Sequence, residues 1–84
     1  MYGLDSMMAH VLISAETTEL LRRRFGFTRR EAEVAQLLLA RRSNLEIAEH
    51  FCISRHTARH HVQKVLTKLG VCSRADARRA MDQI

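Results

Sequence analysis

Apolar residues recur at helical spacing in the second half of this chain. Ala58, Val62, Val65, Leu66 and Leu69 form one stripe, and His56, Arg59, His60, Gln63, Lys64 and Thr67 fall on the opposite side. Ser54 stands at the N-cap position and Gly70 at the stop, so the pattern predicts a helix over about Arg55–Leu69. Thr28-Arg29-Arg30-Glu31 has the form of a capping box, with Phe27 placed for a hydrophobic staple. It opens a helix over about Arg29–Ala40 whose apolar surface is Ala32, Val34, Ala35, Leu37, Leu38 and Leu39. Ser43-Asn44-Leu45-Glu46 is a second capping box. It opens a helix over about Asn44–Phe51 that buries Ile47, Ala48 and Phe51. Ser73-Arg74-Ala75-Asp76 opens a last helix, about Arg74–Gln83, with Ala77, Ala80, Met81 and Ile84 as its stripe. No segment alternates with period two, so the expected fold is all-α.

Only Cys52, Ile53 and Ser54 separate the second and third of these helices, the connection length of a helix-turn-helix. Ala48 is small where the two helices must cross closely. Ile53 is expected to plug the core and Cys52 to pack inward. Upstream, Glu16–Phe25 reads as a short helix carrying Leu20, Leu21 and Phe25, with Arg22, Arg23 and Arg24 at its C-terminal end, where cations suit the helix dipole. For Met1–Ala15 two readings stand: a frayed tail, or a segment in which Met7–Ile13 packs on the domain or on a second protomer. The organisation expected is an N-terminal extension over 1–25, partly helical or flexible, and one domain over 26–84.

Composition sharpens this picture. The chain has 84 residues and a net charge of +5. One domain of that size buries about 60–65% of the surface its unfolded chain exposes, so a second copy would add stability. The charge is concentrated: between positions 55 and 79 stand Arg55, Arg59, Lys64, Lys68, Arg74, Arg78 and Arg79, against Asp76 as the single acid. A basic domain attracts polyanions, nucleic acid before anionic membrane. Membrane binding asks for bulky apolar residues flanking the basic face, and here the core claims them. The longest apolar run, Met7 to Ile13, is too short to span a bilayer. Two cysteines, Cys52 and Cys72, make no disulfide framework, which fits a reducing cytoplasm.

An outer helix face made of donors and cations, with no acid, suits a DNA major groove. Other chemistry finds little footing. Cys52, His56 and His60 recur every four residues, but structural zinc wants a fourth ligand, so no metal is expected. Cys72 reads as an idle surface thiol. No carboxylate pair sits in an expected cleft, no Ser/His/Asp set is positioned for catalysis and there is no phosphate-cradling glycine loop, so neither an enzyme nor a cofactor is expected. His61 lies toward the apolar side and reads as a structural histidine.

Four motifs in order carry a resemblance: Phe27–Val34, Ser43–Ala48, Ile53–Val62 and Lys68–Arg74. Together they are similar to the LuxR-type (GerE/NarL/FixJ) helix-turn-helix family, from about Leu20 to the C-terminus. The resemblance implies a four-helix bacterial DNA-binding domain with its motif at about 44–63. It implies that the third helix enters the major groove and that the fourth forms a two-fold dimer, here through Ala77, Ala80, Met81 and Ile84. Carried over by position, Arg59, His60 and Gln63 are the expected base contacts. Arg59 suits guanine O6/N7 and Gln63 suits adenine N6/N7. His60 suits either a base edge or a thymine methyl. Ser54, Arg55, His56, Thr57, Lys64 and Lys68 are the expected contacts to the DNA backbone.

The chain departs from the family pattern in three places. The usual glycine after the first helix is Arg41, so that turn must accept a side chain, in a left-handed conformation at some cost. The frequent lysine of Ser-Asn-Lys-Glu is Leu45, which removes a phosphate contact. The common valine after Thr57 is Ala58, which thins the core. With only about 25 residues ahead of the domain, the chain resembles the stand-alone, GerE-like members.

The function this implies is a sequence-specific regulator of transcription that binds double-stranded DNA as a homodimer. It would be cytoplasmic, on the bacterial nucleoid, with RNA polymerase as a further partner and no membrane role. The alternative is a co-regulator or antagonist that pairs with a longer relative or with RNA polymerase and has no operator of its own.

Overall fold

Five Ser or Thr side chains set the helix starts in this small basic chain, and two glycines set two of the ends. The structure, a computed structural model, describes residues 13–82. Those residues form α1 (Ala15–Phe25), α2 (Arg29–Leu39), α3 (Asn44–Phe51), α4 (Arg55–Leu69) and α5 (Arg74–Met81), with no strand among them. The expectations for Met7–Leu12, for the end of the last helix at Gln83, and for Ile84 lie outside the described residues.

The caps explain the boundaries. Thr28 Oγ1 accepts from the Glu31 N–H at 3.1 Å, and Glu31 Oε1 accepts from the Thr28 N–H at 2.9 Å. Ser43 and Glu46 repeat the exchange at 3.1 and 2.9 Å. Each box satisfies backbone donors that the first helical turn leaves free. Ser14, Ser54 and Ser73 cap α1, α4 and α5 with their side chains. At the other ends, Gly26 and Gly70 both adopt φ 71°, where a Cβ would be strained.

Two side-chain-bearing residues take the same left-handed turn. Arg41 has φ 61° and Cys52 has φ 55°. Arg41 thus adopts the conformation its glycine-like position calls for. Cys52 does not pack inward as the sequence suggested. It is the left-handed C-cap of α3, where the chain reverses into Ser54, and its thiol is exposed.

The core is one cluster. α2 supplies Ala32, Val34, Ala35, Leu37 and Leu38, and α4 packs on it with Ala58, Val62, Val65 and Leu66. α3 adds Ile47 and Ala48, α5 adds Ala77 and Met81, and α1 adds Leu21. Ile53 packs against this cluster from the α3–α4 turn, as its position suggested. Fully buried alanines at 32, 35, 58 and 77 let the helix backbones come close.

α1 is fixed by polar atoms as well. Gln36 on α2 is buried, donates to Thr18 Oγ1 at 2.7 Å and accepts from the Ser14 N–H at 2.9 Å. A buried amide whose bonds are made ties two helices in one register. The apolar stripe of α1 is narrower than expected. Leu21 is fully buried and Phe25 packs on the core, but Leu20 is 51% exposed. One residue is a step of about 100° around a helix, so Leu20 turns toward water.

Candidate nucleic-acid interface

Helix α4 has two chemically separate sides. Ala58, Val62, Val65 and Leu66 are buried, and Arg55, His56, Arg59, His60, Gln63, Lys64, Thr67 and Lys68 are exposed. The helix carries no acid. Its first turn is held by Ser54 Oγ, which accepts from the Thr57 N–H at 3.0 Å and donates to Thr57 Oγ1 at 2.9 Å. Both hydroxyls expected to meet the DNA backbone therefore stand together at the start of α4.

The residues expected to read bases, Arg59, His60 and Gln63, share the exposed side with Arg55, His56 and Lys64. The His56 and His60 rings meet edge to face, with centroids 5.0 Å apart. Arg55, Arg59 and Lys64 take part in none of the ion pairs among the described residues. These three cations have no counterion from that part of the fold, the condition under which a bound phosphate or a guanine edge gains most.

Lys68 differs. Its ammonium lies 2.8 Å from Glu31 Oε1 and donates to the Gly26 carbonyl oxygen at 3.1 Å. Glu31 is buried. Burial alone would raise its pKa; the hydrogen bonds from Lys68 and from the Thr28 N–H outweigh that and hold the carboxyl below its ordinary value. Lys68, expected at the DNA backbone, therefore has a buried carboxylate partner on α2 and anchors the C-terminal end of α4 to the start of α2.

His61 is half-buried, as its apolar-side position suggested. Burial, then the positive charges of Arg30 and Lys64, lower its pKa and favour the neutral ring. The Arg30 guanidinium itself stacks 4.2 Å from the Phe51 ring centroid.

The stripe expected to pair with a second copy is partly engaged within the single chain. Ala77 is 0% and Met81 1% exposed in the single chain, because both complete its own core. Ala80 is half-buried, and Ile84 is outside the described residues. Leu45 is 46% exposed on the first turn of α3. Among the described residues no group of three or more His, Cys, Asp or Glu is placed to hold a metal ion, and no helix is long and apolar enough to cross a membrane.

Comparison with known proteins bears on this arrangement. The family model described as "Bacterial regulatory proteins, luxR family" matches residues 26–81. The chain is 42% identical over 50 residues to the spore germination protein GerE of Bacillus subtilis (strain 168), a match covering 60% of this chain and 68% of that protein. No solved structure matches.

Proposed function

The chain belongs to the luxR family of bacterial regulatory proteins, and on that premise we propose that it regulates transcription by binding specific sites on duplex DNA. One observation carries the reading. The outer side of α4 is exposed, free of acids, and presents three cations that no carboxylate among the described residues neutralises. An α-helix fits the major groove, and this one is held by its apolar side and by the Lys68 tie at its C-terminal end, which leaves the outer side from Arg55 to Lys64 open.

On this reading residues 26–84 are the DNA-binding unit and residues 1–25 an extension ahead of it. Arg59 donates both guanidinium arms to a guanine, His60 and Gln63 meet neighbouring base edges, and Arg55, His56 and Lys64 meet phosphates. Ser54 and Thr57 place the α4 N-terminus at the same strand. The protein acts as a two-fold dimer, with recognition helices in successive major grooves about 10 base pairs apart. Because Ala77 and Met81 are taken by the core, the pairing surface is the outer side of α5 around Ala80.

Selection of bound sequences from random duplexes, with the mass of the complex measured on the same sample, tests the reading. It predicts an enriched half-site, repeated at one-turn spacing, and two chains per duplex. Equal recovery of all sequences at moderate salt overturns specific binding. One chain per site overturns the dimer alone.

A further inference from the structure

Away from the outer side of α4, the loop between α2 and α3 meets α5 around an open recess of about 400 Å3. Arg41, Arg42, Ser43, Asn44, Arg74 and Arg78 line it. Four of these six are arginines and none is an acid.

Their partners leave most of the charge unanswered. Arg74 is part-buried and donates to the Arg42 carbonyl oxygen at 3.1 Å and to Asn44 Oδ1, both neutral acceptors. Arg42 lies 3.4 Å from Glu46. Arg41, Arg74 and Arg78 join none of the ion pairs among the described residues. Burial, and then the neighbouring charge of Arg78, lower the Arg74 pKa. The backbone adds a separate sign. Arg41 sits at φ 61°, where glycine would be relaxed, so a charged side chain is presented at this rim against the local conformational preference.

We propose that this recess binds a phosphate group through Arg41, Arg74 and Arg78. Forked guanidinium donors suit a tetrahedral oxyanion, and Arg74 is already oriented by its two neutral acceptors. The neighbouring first turn of α3 contributes little, because Ser43 and Glu46 already exchange their hydrogen bonds. Two sources carry the chemistry: a phosphodiester of the DNA backbone, or a free phosphate-bearing small molecule. The first source rests on the DNA-binding reading and the second does not.

The test uses the full chain. Inorganic phosphate is titrated at constant ionic strength while the arginine Nε–Hε resonances are followed by NMR. Saturable shifts are expected at Arg74 and Arg78, at least several-fold weaker in Arg78→Ala and in Arg41→Gly, and unchanged in Arg24→Ala, which lies outside the recess. Circular dichroism verifies that each variant is folded. In a second arm, duplex affinity is measured across a salt series. A loss of about one unit of salt slope in Arg78→Ala identifies a backbone phosphate, with or without the shifts. Shifts lost in the variants with an unchanged slope identify a free phosphate ligand. With an unchanged slope, absent shifts overturn the proposal, as do shifts that persist in both variants. If the wild-type chain binds no duplex, the DNA reading fails and the phosphate titration alone decides the recess.

Discussion

Replacing Lys68 by methionine separates a structural tie from a DNA contact. Methionine keeps the aliphatic stem and removes the ammonium 2.8 Å from Glu31 Oε1 and 3.1 Å from the Gly26 carbonyl oxygen. An exposed ion pair contributes about 0–1 kcal/mol, and breaking a buried one costs about 3–5 kcal/mol because a charge is stranded. This pair lies between: the Lys68 side chain is 38% exposed and that of Glu31 only 6%. Glu31 also keeps the Thr28 N–H at 2.9 Å when Lys68 is gone. The expected loss is about 1–2 kcal/mol. For a domain of this size each kcal/mol moves Tm by about 4–8 °C, so Tm should fall by about 4–16 °C. The pH dependence carries the same signature. Glu31 is held below its ordinary value of 4.5, so the stability it contributes is complete above that pH and lost as pH falls through the folded value. Without Lys68 the folded value rises, and acid unfolding should begin at higher pH. Thermal melts from about pH 3 to 7, spanning the carboxylate range, paired with duplex binding in a salt series, read both effects. The salt slope should fall by well under the roughly one unit that a lost phosphate contact produces. A full unit of lost slope with an unchanged Tm refutes the reasoning and returns Lys68 to the DNA backbone.

Arg59→Ala should weaken the selected site by about 1–3 kcal/mol and relax preference at one base pair; equal affinity for every single-base variant of the site before and after the change counts against it. Lys64→Ala should weaken all duplexes alike and lower the salt slope by about one unit, and a sequence-selective loss in the same titration contradicts a phosphate role. Arg41→Gly should stabilise the fold by about 1 kcal/mol by relieving the left-handed side-chain residue, so its urea midpoint should rise even as any phosphate affinity falls. His61 has its pKa lowered from 6.5, so the unfolded chain takes up its proton first. The stability this residue contributes is complete above pH 6.5 and declines as pH falls toward the folded value; His61→Gln should flatten that decline in urea midpoints measured between about pH 7.5 and 5.5, the range that brackets histidine titration, and an identical decline in both proteins argues against a half-buried neutral ring.

Local chemistry made the helix boundaries legible. Thr28, Ser43, Ser54 and Ser73 each cap the helix they precede, because a cap needs only residues three positions apart. The two sides of α4 were legible for the same reason: its apolar residues repeat within a single helix. What escaped the sequence depends on partners far along the chain. Gln36 looks like a surface amide until Ser14 and Thr18, 22 and 18 residues earlier, are packed against it. Lys68 looks like one more cation of the basic side until Glu31, 37 residues away, is placed beneath it. Ala77 and Met81 form a stripe that suits a second copy equally well, and only the packed core shows that this chain fills it. Cys52 escaped because a non-glycine residue at positive φ leaves no compositional mark, whereas the family's glycine position flagged Arg41.

The cations of this chain therefore divide by what the fold supplies to each. Lys68 is answered by a carboxylate, Arg74 by two neutral oxygens, and Arg30 by the Phe51 face together with Glu33. Arg55, Arg59 and Lys64 have no acid partner among the described residues and stand between two fixed ends, the Ser54 cap and the Lys68 tie. A helix held at both ends and along its apolar side has little backbone freedom left to lose on binding, so contacts made by its outer side are offset less by ordering. The same division predicts an asymmetry between substitutions. Loss of a tied cation lowers stability first and binding only through the folded fraction. Loss of an unpaired cation lowers binding at constant stability. Tm and salt slope measured together on Lys68→Met and Lys64→Ala should therefore move in opposite patterns, and parallel movement of both quantities in both variants is incompatible with this division.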